Sequence, residues 1–374
     1  MTLTKKPREA NLDLLRIVSM LLIVFLHSID HSGVLENAEN CGTGMYFYVR
    51  FMYALCQVCV NIYVMLSGYF MVNSKFRLHK LVALWMEATF YTFVLRLVFI
   101  LSGVEAFSFL SLASCFFPIL TGRYWFLTIY VGMYLVSPFL NTLIHAMDKR
   151  QHGMINLCLF AIMSIWVSIH PAIAGMNSGG GWGIAWFVVM YLAAAWLRLY
   201  YMPKGKLLGF LSVFLCIPLA MAAAQTVLKR NISIPGAGIL LTIIEHWFRY
   251  DSAPVYLMTI SLFIAFMNIH IRSEKVSRMI ISIAPLTLGV YLIHAHANVS
   301  PWSWEILNLP SKMNSAAFVF IQLACVFGIF AICSAIDALR SATVGKIENA
   351  PTVSNLCNRV QKKLNALSLT FLKE

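Results

Sequence analysis

The sequence predicts an all-α fold, a polytopic membrane bundle of about ten transmembrane helices with both termini in the cytoplasm. Three observations support this prediction. Of the 374 residues, 60% are apolar and only 11% are charged, whereas charged residues make up about a quarter of an ordinary soluble domain. The apolar residues are gathered into runs of about 20, the length of a helix that crosses a bilayer. Lysine and arginine are concentrated in alternate loops between those runs.

This composition excludes several classes of protein. A water-soluble fold of this length cannot bury so much apolar surface, so a soluble enzyme, a disordered chain and a secreted disulfide scaffold are excluded. The net charge of +13 would suit nucleic-acid binding only if the basic residues shared one soluble face. Here they are scattered through short loops. We therefore expect a lipid bilayer, and no nucleic acid, as a partner.

The candidate spans follow from the apolar runs in chain order. The first run comes after a short basic segment, as a signal peptide would, but no small-residue cleavage site follows it, so we expect an uncleaved helix. Two further apolar stretches, 108–120 and 236–248, predict short re-entrant or interfacial helices. The ten predicted spans are 12–30, 50–73, 80–102, 124–145, 154–172, 183–201, 207–228, 252–270, 278–297 and 316–339.

The basic residues decide the orientation of the bundle. An even number of spans places both termini on one side of the membrane. With a cytoplasmic N-terminus, the inside loops hold twenty of the 28 lysines and arginines and the outside loops hold six, while Arg16 and Arg96 lie within spans. The positive-inside rule then places both ends in the cytoplasm. We expect one transmembrane domain over residues 1–340 and a basic cytoplasmic tail over 341–374.

The first span carries most of the ionisable residues expected within the membrane. Each such residue needs an explanation, because it costs about 2.5–3.5 kcal/mol on insertion scales. Arg16 and His27 are eleven residues apart, which places them on one helix face, about 16 Å apart along the axis. Asp13 precedes Arg16 by about one turn and Asp30 follows His27 by about one turn, so both lie near the same face.

Two interpretations of this stripe remain open. In the structural one, Arg16 reaches the cytoplasmic headgroups and pairs with Asp13, while His27 bonds to a neighbouring helix. In the functional one, the stripe lines a polar channel. Arg16 then holds an anionic group at the cytoplasmic mouth, and His27 acts as a base, a role that suits an imidazole because its unperturbed pKa is about 6.5.

Five sequence blocks resemble the bacterial membrane-bound acyltransferase-3 family. The first is Arg16-x10-His27, which is similar to the signature of the family's first helix. The blocks cover residues 11 to about 340, in order, on a matching ten-span topology. The other four are Val64-Met-Leu-Ser-Gly-Tyr-Phe70, Tyr124-Trp-Phe-Leu127 with Tyr134-Leu-Val-Ser-Pro138, Ser252-Ala-Pro254, and Leu288-Gly-Val-Tyr-Leu-Ile-His294.

The resemblance implies an integral membrane O-acyltransferase of the bacterial cytoplasmic membrane. Such an enzyme moves an acyl group, most simply acetyl, from acyl-coenzyme A to a hydroxyl of a cell-surface polysaccharide or lipid-linked glycan. Carried over to this chain, His27 is the catalytic base, and Arg16 contributes to catalysis and to donor binding. The implied partners are acyl-coenzyme A and a carbohydrate acceptor, with no tightly bound cofactor. Without an esterase-like domain, the chain resembles the stand-alone members of the family.

The family also has a cytoplasmic Arg-x-x-Arg motif, whose nearest match here is Arg77-Leu-His-Lys80, preceded by Lys75. Lysine keeps the charge of arginine but not its bidentate fork. These three residues are candidates for binding the donor, and an ordinary positive-inside loop is an equally open explanation. We expect Asp30 or another polar neighbour to orient the imidazole of His27. The possible supporting residues are Asp13, Asp30, Tyr124 and His294.

Other polar and aromatic residues have structural expectations. Glu87 lies within the third predicted span, and its partner is expected on another helix. His296 is expected at the external interface. Four tryptophans are expected in an external aromatic belt, with sugar stacking as the alternative: Trp182, Trp186, Trp302 and Trp304.

The remaining motifs predict no metal site. Cys56-x-x-Cys59 has the spacing of a metal or redox motif, but it lies within a span and has no second pair, so we expect packing. A polysaccharide or small-molecule transporter of the same membrane fold remains an alternative function, and a membrane sensor that binds without turnover is a third. A transporter moves substrate without consuming acyl-coenzyme A.

Overall fold

The computed structural model describes residues 9–170, 179–348 and 350–371, with side chains described as far as residue 364. Over these residues the chain is helical and has no strand. The helices of the first half are α1 (Ala10–Asp30), α2 (Val34–Asn37), α3 (Thr43–Cys56), α4 (Val58–Met71), α5 (Leu78–Leu101), α6 (Phe109–Ala113), α7 (Trp125–Ala146), α8 (Lys149–Phe160), α9 (Trp166–Ile169) and α10 (Ile184–Tyr200).

The second half continues in the same way. Single-turn 3-10 segments at Ala38–Asn40, Ser114–Phe116, Ala284–Leu286 and Pro310–Lys312, and a π turn at Ala161–Ile165, join or interrupt the helices. The helices of the second half are α11 (Leu207–Arg230), α12 (Ala237–His246), α13 (Ala253–Met267), α14 (Glu274–Ile283), α15 (Thr287–His294), α16 (Val299–Leu307), α17 (Phe318–Ala342), α18 (Gly345–Glu348) and α19 (Pro351–Phe371).

The predicted all-α membrane bundle is confirmed. Within the described residues, eight helical segments are long and apolar enough to cross a membrane. The other two predicted spans correspond to α10 and α13, which are apolar but have only 17 and 15 residues, below the usual length of about 20. The apolar stretches predicted around 108–120 and 236–248 form the short helices α6 and α12.

The second and the ninth predicted spans are each divided into two helices in the structure. The second begins at Thr43 rather than at residue 50 and is divided at Gln57 into α3 and α4. The ninth is divided at Ala284–Leu286, where Pro285 lacks the backbone N–H that a continuous helix needs. It ends at His294 rather than at residue 297, so His296 lies beyond the span.

Helix α1 occupies the centre of the bundle, where it packs against α3, α4, α13, α15 and α17. This arrangement turns the polar stripe of α1 towards other helices instead of towards lipid. Helix α4 approaches α10 at Gly68, where an added Cβ would lie 2.8 Å from the carbonyl oxygen of Tyr191. Glycine is therefore required for this close helix contact, which explains the Ser-Gly pair of the second sequence block.

Glu87 finds its partner on another helix, as expected. Its carboxylate lies 3.1 Å from a guanidinium nitrogen of Arg340 on α17. Arg340 also binds Asp337 at 2.7 Å and Glu348 of α18 at 2.6 Å. This buried cluster fixes α5, α17 and α18 together, because a buried charge is tolerated only when it is paired. The predicted basic tail, 341–374, begins at the end of α17 and continues through α18 to α19. The ion pair between Arg340 and Glu348 holds α18 against α17.

Candidate active site

A cavity of about 460 Å³ lies along the polar face of α1, within the usual size range of small-molecule sites. Its walls come from α1, α4, α7 and α15, and from the segments that precede α10 and α13. The polar and aromatic residues that line it are Arg16, His27, Asp30, His31, Tyr63, Ser67, Arg123, Tyr124, Trp125, Tyr130, Trp182, Tyr250, Thr287 and Tyr291.

Arg16 and His27 both line this cavity, and the structure combines the two open interpretations of their stripe. Arg16 pairs with Asp13 at 3.2 Å, and His27 bonds to a neighbouring helix, as the structural interpretation expects. The same two side chains border one space, as the functional interpretation expects. A residue can bond to its neighbours and also line the cavity, so these contacts do not decide between the two interpretations. The catalytic roles of Arg16 and His27 stay predictions.

The environment of His27 is a chain of hydrogen bonds that ends at a backbone carbonyl. Nδ1 of His294 lies 2.5 Å from the carbonyl oxygen of Val290, and because a carbonyl only accepts, this nitrogen carries the proton. In a neutral ring, Nε2 of His294 is then an acceptor, and it lies 3.0 Å from Nδ1 of His27. Nδ1 of His27 therefore donates, which leaves its Nε2 with the lone pair of a base.

His31 completes a group of three imidazoles that sequence analysis had not singled out. Its ring stacks on that of His27 with 4.2 Å between the ring centres, and its Nδ1 lies 3.3 Å from Oγ of Ser300. The signal was present in the sequence, because His31 follows His27 by four residues and so shares its helix face. Its partner Ser300, 269 residues away, had no such signal.

The other end of the cavity is organised around Arg16. The hydroxyl of Tyr63 on α4 donates to the backbone carbonyl of Arg16 at 3.2 Å. Asp13 is 5% exposed and orients the guanidinium along the same face. This end can hold an anionic group, because guanidinium donates paired, charge-assisted hydrogen bonds to phosphate or carboxylate.

Aromatic rings form the opposite mouth of the cavity. Trp125 stacks on Trp182 with 4.4 Å between ring centres, and Tyr250 lies parallel to Trp125 at 6.3 Å. Trp182 is 51% exposed, so one broad ring face meets the surroundings at the cavity. Trp182 therefore lines the cavity and remains exposed, which is compatible with both the belt and the stacking expectations.

The belt prediction is wrong for two of the remaining tryptophans. Trp186 is fully buried and donates from Nε1 to Oδ1 of Asn61 at 2.9 Å. Trp304 is 3% exposed. Both face the protein interior, because neighbouring parts of the chain cover their side chains. Trp302, at 51% exposed, is accessible.

Two residues at the start of α7 support the wall of the cavity. Tyr124 donates its hydroxyl to the backbone carbonyl of Leu292 at 2.7 Å, which ties α7 to the helix that carries His294. Arg123 lines the cavity, and its guanidinium donates to Oγ of Ser114 at 2.5 Å. Arg123 is one of the six basic residues assigned to outside loops, and it directly precedes the family-like block that begins at Tyr124.

Of the two expected partners for His27, Asp30 or another polar neighbour, the structure shows the second, and the expected position of His296 needs correction. Asp30 lines the cavity, but Nδ1 of His27 is held by His294. His296 is 2% exposed instead of interfacial, since the chain turns inward after α15. Burial, followed by repulsion from Arg123, lowers the pKa of His296 to about 4, so this imidazole is neutral at pH 7. Close by, burial opposes ionisation of Glu105, but hydrogen bonds from Arg96 and Asn298 lower its pKa.

The three candidate donor-binding residues around the start of α5 lie outside the cavity. Lys75, Arg77 and Lys80 are exposed and do not belong to its lining. The loop is nevertheless held in place, since the backbone N–H of Arg77 donates to the hydroxyl of Tyr134 at 3.1 Å. The structure therefore brings together Arg16, His27, Asp30, Tyr124 and His294, but not the basic loop.

Comparison with known proteins gives one match. Residues 9–338 match the sequence profile of a family described as an acyltransferase domain, Acyl_transf_3. The match covers α1 to most of α17 and therefore every residue of the cavity. No curated protein and no solved structure matches the chain at a significant level.

Proposed function

Since the chain belongs to the acyltransferase-3 family of multi-pass membrane proteins, we propose that it transfers an acyl group from acyl-coenzyme A to a carbohydrate hydroxyl. The acyl group is most simply acetyl. The acceptor is a cell-surface polysaccharide or its lipid-linked precursor, and the membrane is the bacterial cytoplasmic membrane. The observation that carries this proposal is the base atom of His27, set by His294 and Val290, in a cavity that also contains Arg16.

In the proposed mechanism, Nε2 of His27 takes the proton of the acceptor hydroxyl as that oxygen attacks the thioester carbonyl. A carbon–oxygen bond forms, the tetrahedral intermediate collapses, and the carbon–sulfur bond breaks. The proton on His27 then passes to the leaving thiolate of coenzyme A. The bond from His27 to His294 keeps the imidazole in the tautomer that this step needs, as a general base requires.

Arg16 supports the choice of donor. It lies about 16 Å from His27 along α1, a separation comparable to a pantetheine arm. Its guanidinium suits a phosphate group, so Arg16 would hold the anionic end of the donor while the thioester reaches His27. The exposed residues Lys75, Arg77 and Lys80 would attract the donor to the cytoplasmic surface before it enters.

The aromatic mouth supports a carbohydrate acceptor. Trp182 and Trp125 present flat, partly exposed rings, and such rings bind ligands that have one apolar face and several hydroxyl groups. In this arrangement the acceptor hydroxyl enters past Trp182 and meets His27 from the side opposite to Arg16.

The test is consumption of acetyl-coenzyme A by purified protein in lipid, with a surface-glycan extract as acceptor. We expect His27→Ala to reduce turnover by about 10²–10⁴-fold, the range for loss of a general base. The matched control is His246→Ala, because His246 lies on α12, does not line the cavity and forms a hydrogen bond with the carbonyl of Thr242 on its own helix. Full activity of the His27 variant would contradict the proposal, and glycan transport without thioester consumption would favour a transporter.

A further inference from the structure

The C-terminal helix α19 carries an exposed apolar stripe. Leu356, Val360 and Leu364 are 63%, 41% and 53% exposed. They are spaced by four residues, so each is rotated by only about 40° from the one before, and together they form a single stripe along one side of the helix. Three large aliphatic side chains in one line are unfavourable in water and indicate a surface that meets another phase or partner.

Basic residues border this stripe. Seen along the helix axis, Arg359 and Lys363 lie about 60° and 20° from Leu356, on the side away from Val360 and Leu364. Lys362 lies about 120° from Leu356 on that same side. All three are exposed. The sequence of α19, Pro351–Phe371, contains no aspartate or glutamate, so every charged side chain on this helix is cationic. An apolar stripe edged by lysine and arginine is typical of helices that lie in the interface of an anionic bilayer.

The inner side of α19 is fixed to the end of the bundle where α5 begins. The side-chain amide of Gln361 donates to the carbonyl of Phe76 at 2.9 Å and accepts from the N–H of Leu78 at 3.0 Å. Leu78 begins α5, at the end that the basic loops assign to the cytoplasm. The ion pair between Glu348 and Arg340 holds the preceding turn. These contacts hold the stripe at the end of the bundle that the basic loops assign to the cytoplasm.

We propose that α19 binds the anionic cytoplasmic surface of the bilayer. Leu356, Val360 and Leu364 enter the boundary between headgroups and acyl chains, and Arg359, Lys362 and Lys363 bind lipid phosphates. A second copy of the chain is a poorer occupant, since its own α19 would bring like charges together. The phosphate groups of coenzyme A could pair with these cations, but they would leave the apolar stripe exposed to water.

The experiment measures amide hydrogen exchange of residues 351–364 in the full-length protein reconstituted into nanodiscs. One preparation contains phosphatidylcholine alone, and the other contains about one third phosphatidylglycerol. We expect exchange to be about tenfold slower with the anionic lipid, because lipid binding suppresses local opening of the helix. The triple variant Arg359→Gln, Lys362→Gln, Lys363→Gln should lose this difference.

The matched control removes the same charge elsewhere on the cytoplasmic side. Arg272, Lys275 and Arg278 are exposed around the start of α14, and their change to glutamine should leave the lipid dependence of α19 intact. Replacement of the three stripe residues by serine should abolish protection in both lipids. Amide exchange that is equally slow in both lipids, and stays equally slow in the triple glutamine variant of α19, would overturn the proposal and favour a protein partner. Protection by coenzyme A in phosphatidylcholine alone would also overturn it.

Discussion

At the residue scale, the informative feature is the direction of the hydrogen bonds around His27. An isolated histidine exchanges between two tautomers, and only one of them presents a lone pair at Nε2. Here the carbonyl oxygen of Val290, 2.5 Å from Nδ1 of His294, selects the tautomer of His294. Nε2 of His294, 3.0 Å from Nδ1 of His27, in turn selects the tautomer of His27. Val290 and His294 thus have the orienting role that a carboxylate has in many hydrolases.

This geometry predicts that His294 is a positioning residue for the transfer reaction. We expect His294→Ala to lower kcat about 10–100-fold with little change in the KM for the donor, because the base loses its tautomer but the donor keeps its contacts. His294→Gln offers an amide oxygen as acceptor and should recover part of the rate. Steady-state kinetics of both variants provide the test, and a rise in KM at unchanged kcat would contradict it.

At the element scale, helices that carry the site approach each other closely at glycine. Gly289, in the family-like block of α15, faces α17 so tightly that an added Cβ would overlap the side chain of Asp337. Asp337 in turn accepts from the hydroxyl of Tyr91 at 2.7 Å and binds Arg340. The position of α15, and with it His294, therefore depends on a buried ion cluster on the far side of the helix.

We therefore expect Gly289→Ala to destabilise the protein by about 1–3 kcal/mol, the usual cost of overpacking a well-filled interior. Gly328→Ala on α17 is the matched control, because an added Cβ there would meet no atom within 4 Å and alanine favours a helix. Thermal unfolding followed by intrinsic fluorescence should show a lower midpoint for the first variant only. Equal midpoints would mean that α15 and α17 can separate without loss of stability.

The elements that could be predicted are those with a local signal. Ten apolar runs predicted ten helical regions, and the spacing of Arg16 and His27 predicted one shared face. The contacts that complete the site join residues far apart in the chain, such as His27 with His294, 267 residues away, or Trp125 with Trp182. No periodicity encodes such pairs. The breaks at Gln57 and at Ala284–Leu286 were missed because apolar runs continue through them.

At the scale of the whole molecule, the cavity has two chemically different ends. Arg16 lies close to the start of α1, which the basic loops assign to the cytoplasm, and provides a cation at one end of the cavity. His31 and Trp182 line the opposite end. Both ends belong to one space that runs along α1, the helix at the centre of the bundle. In the proposed mechanism, the donor and the acceptor would therefore reach His27 from opposite ends of the cavity.

This arrangement predicts sided catalysis. In proteoliposomes, coenzyme A thioesters do not cross the lipid, so donor and acceptor can be supplied on chosen sides, and protease access to the C-terminal tail reports the orientation of the protein. We expect transfer when the donor is on the side of the tail and the acceptor is opposite, and at least about tenfold less when the two are exchanged. His27→Ala sets the background in both arrangements. Equal rates in the two arrangements would show that both substrates reach the cavity through one mouth. Transfer that occurs only with the donor on the side opposite the tail would reverse the orientation that the basic loops predict.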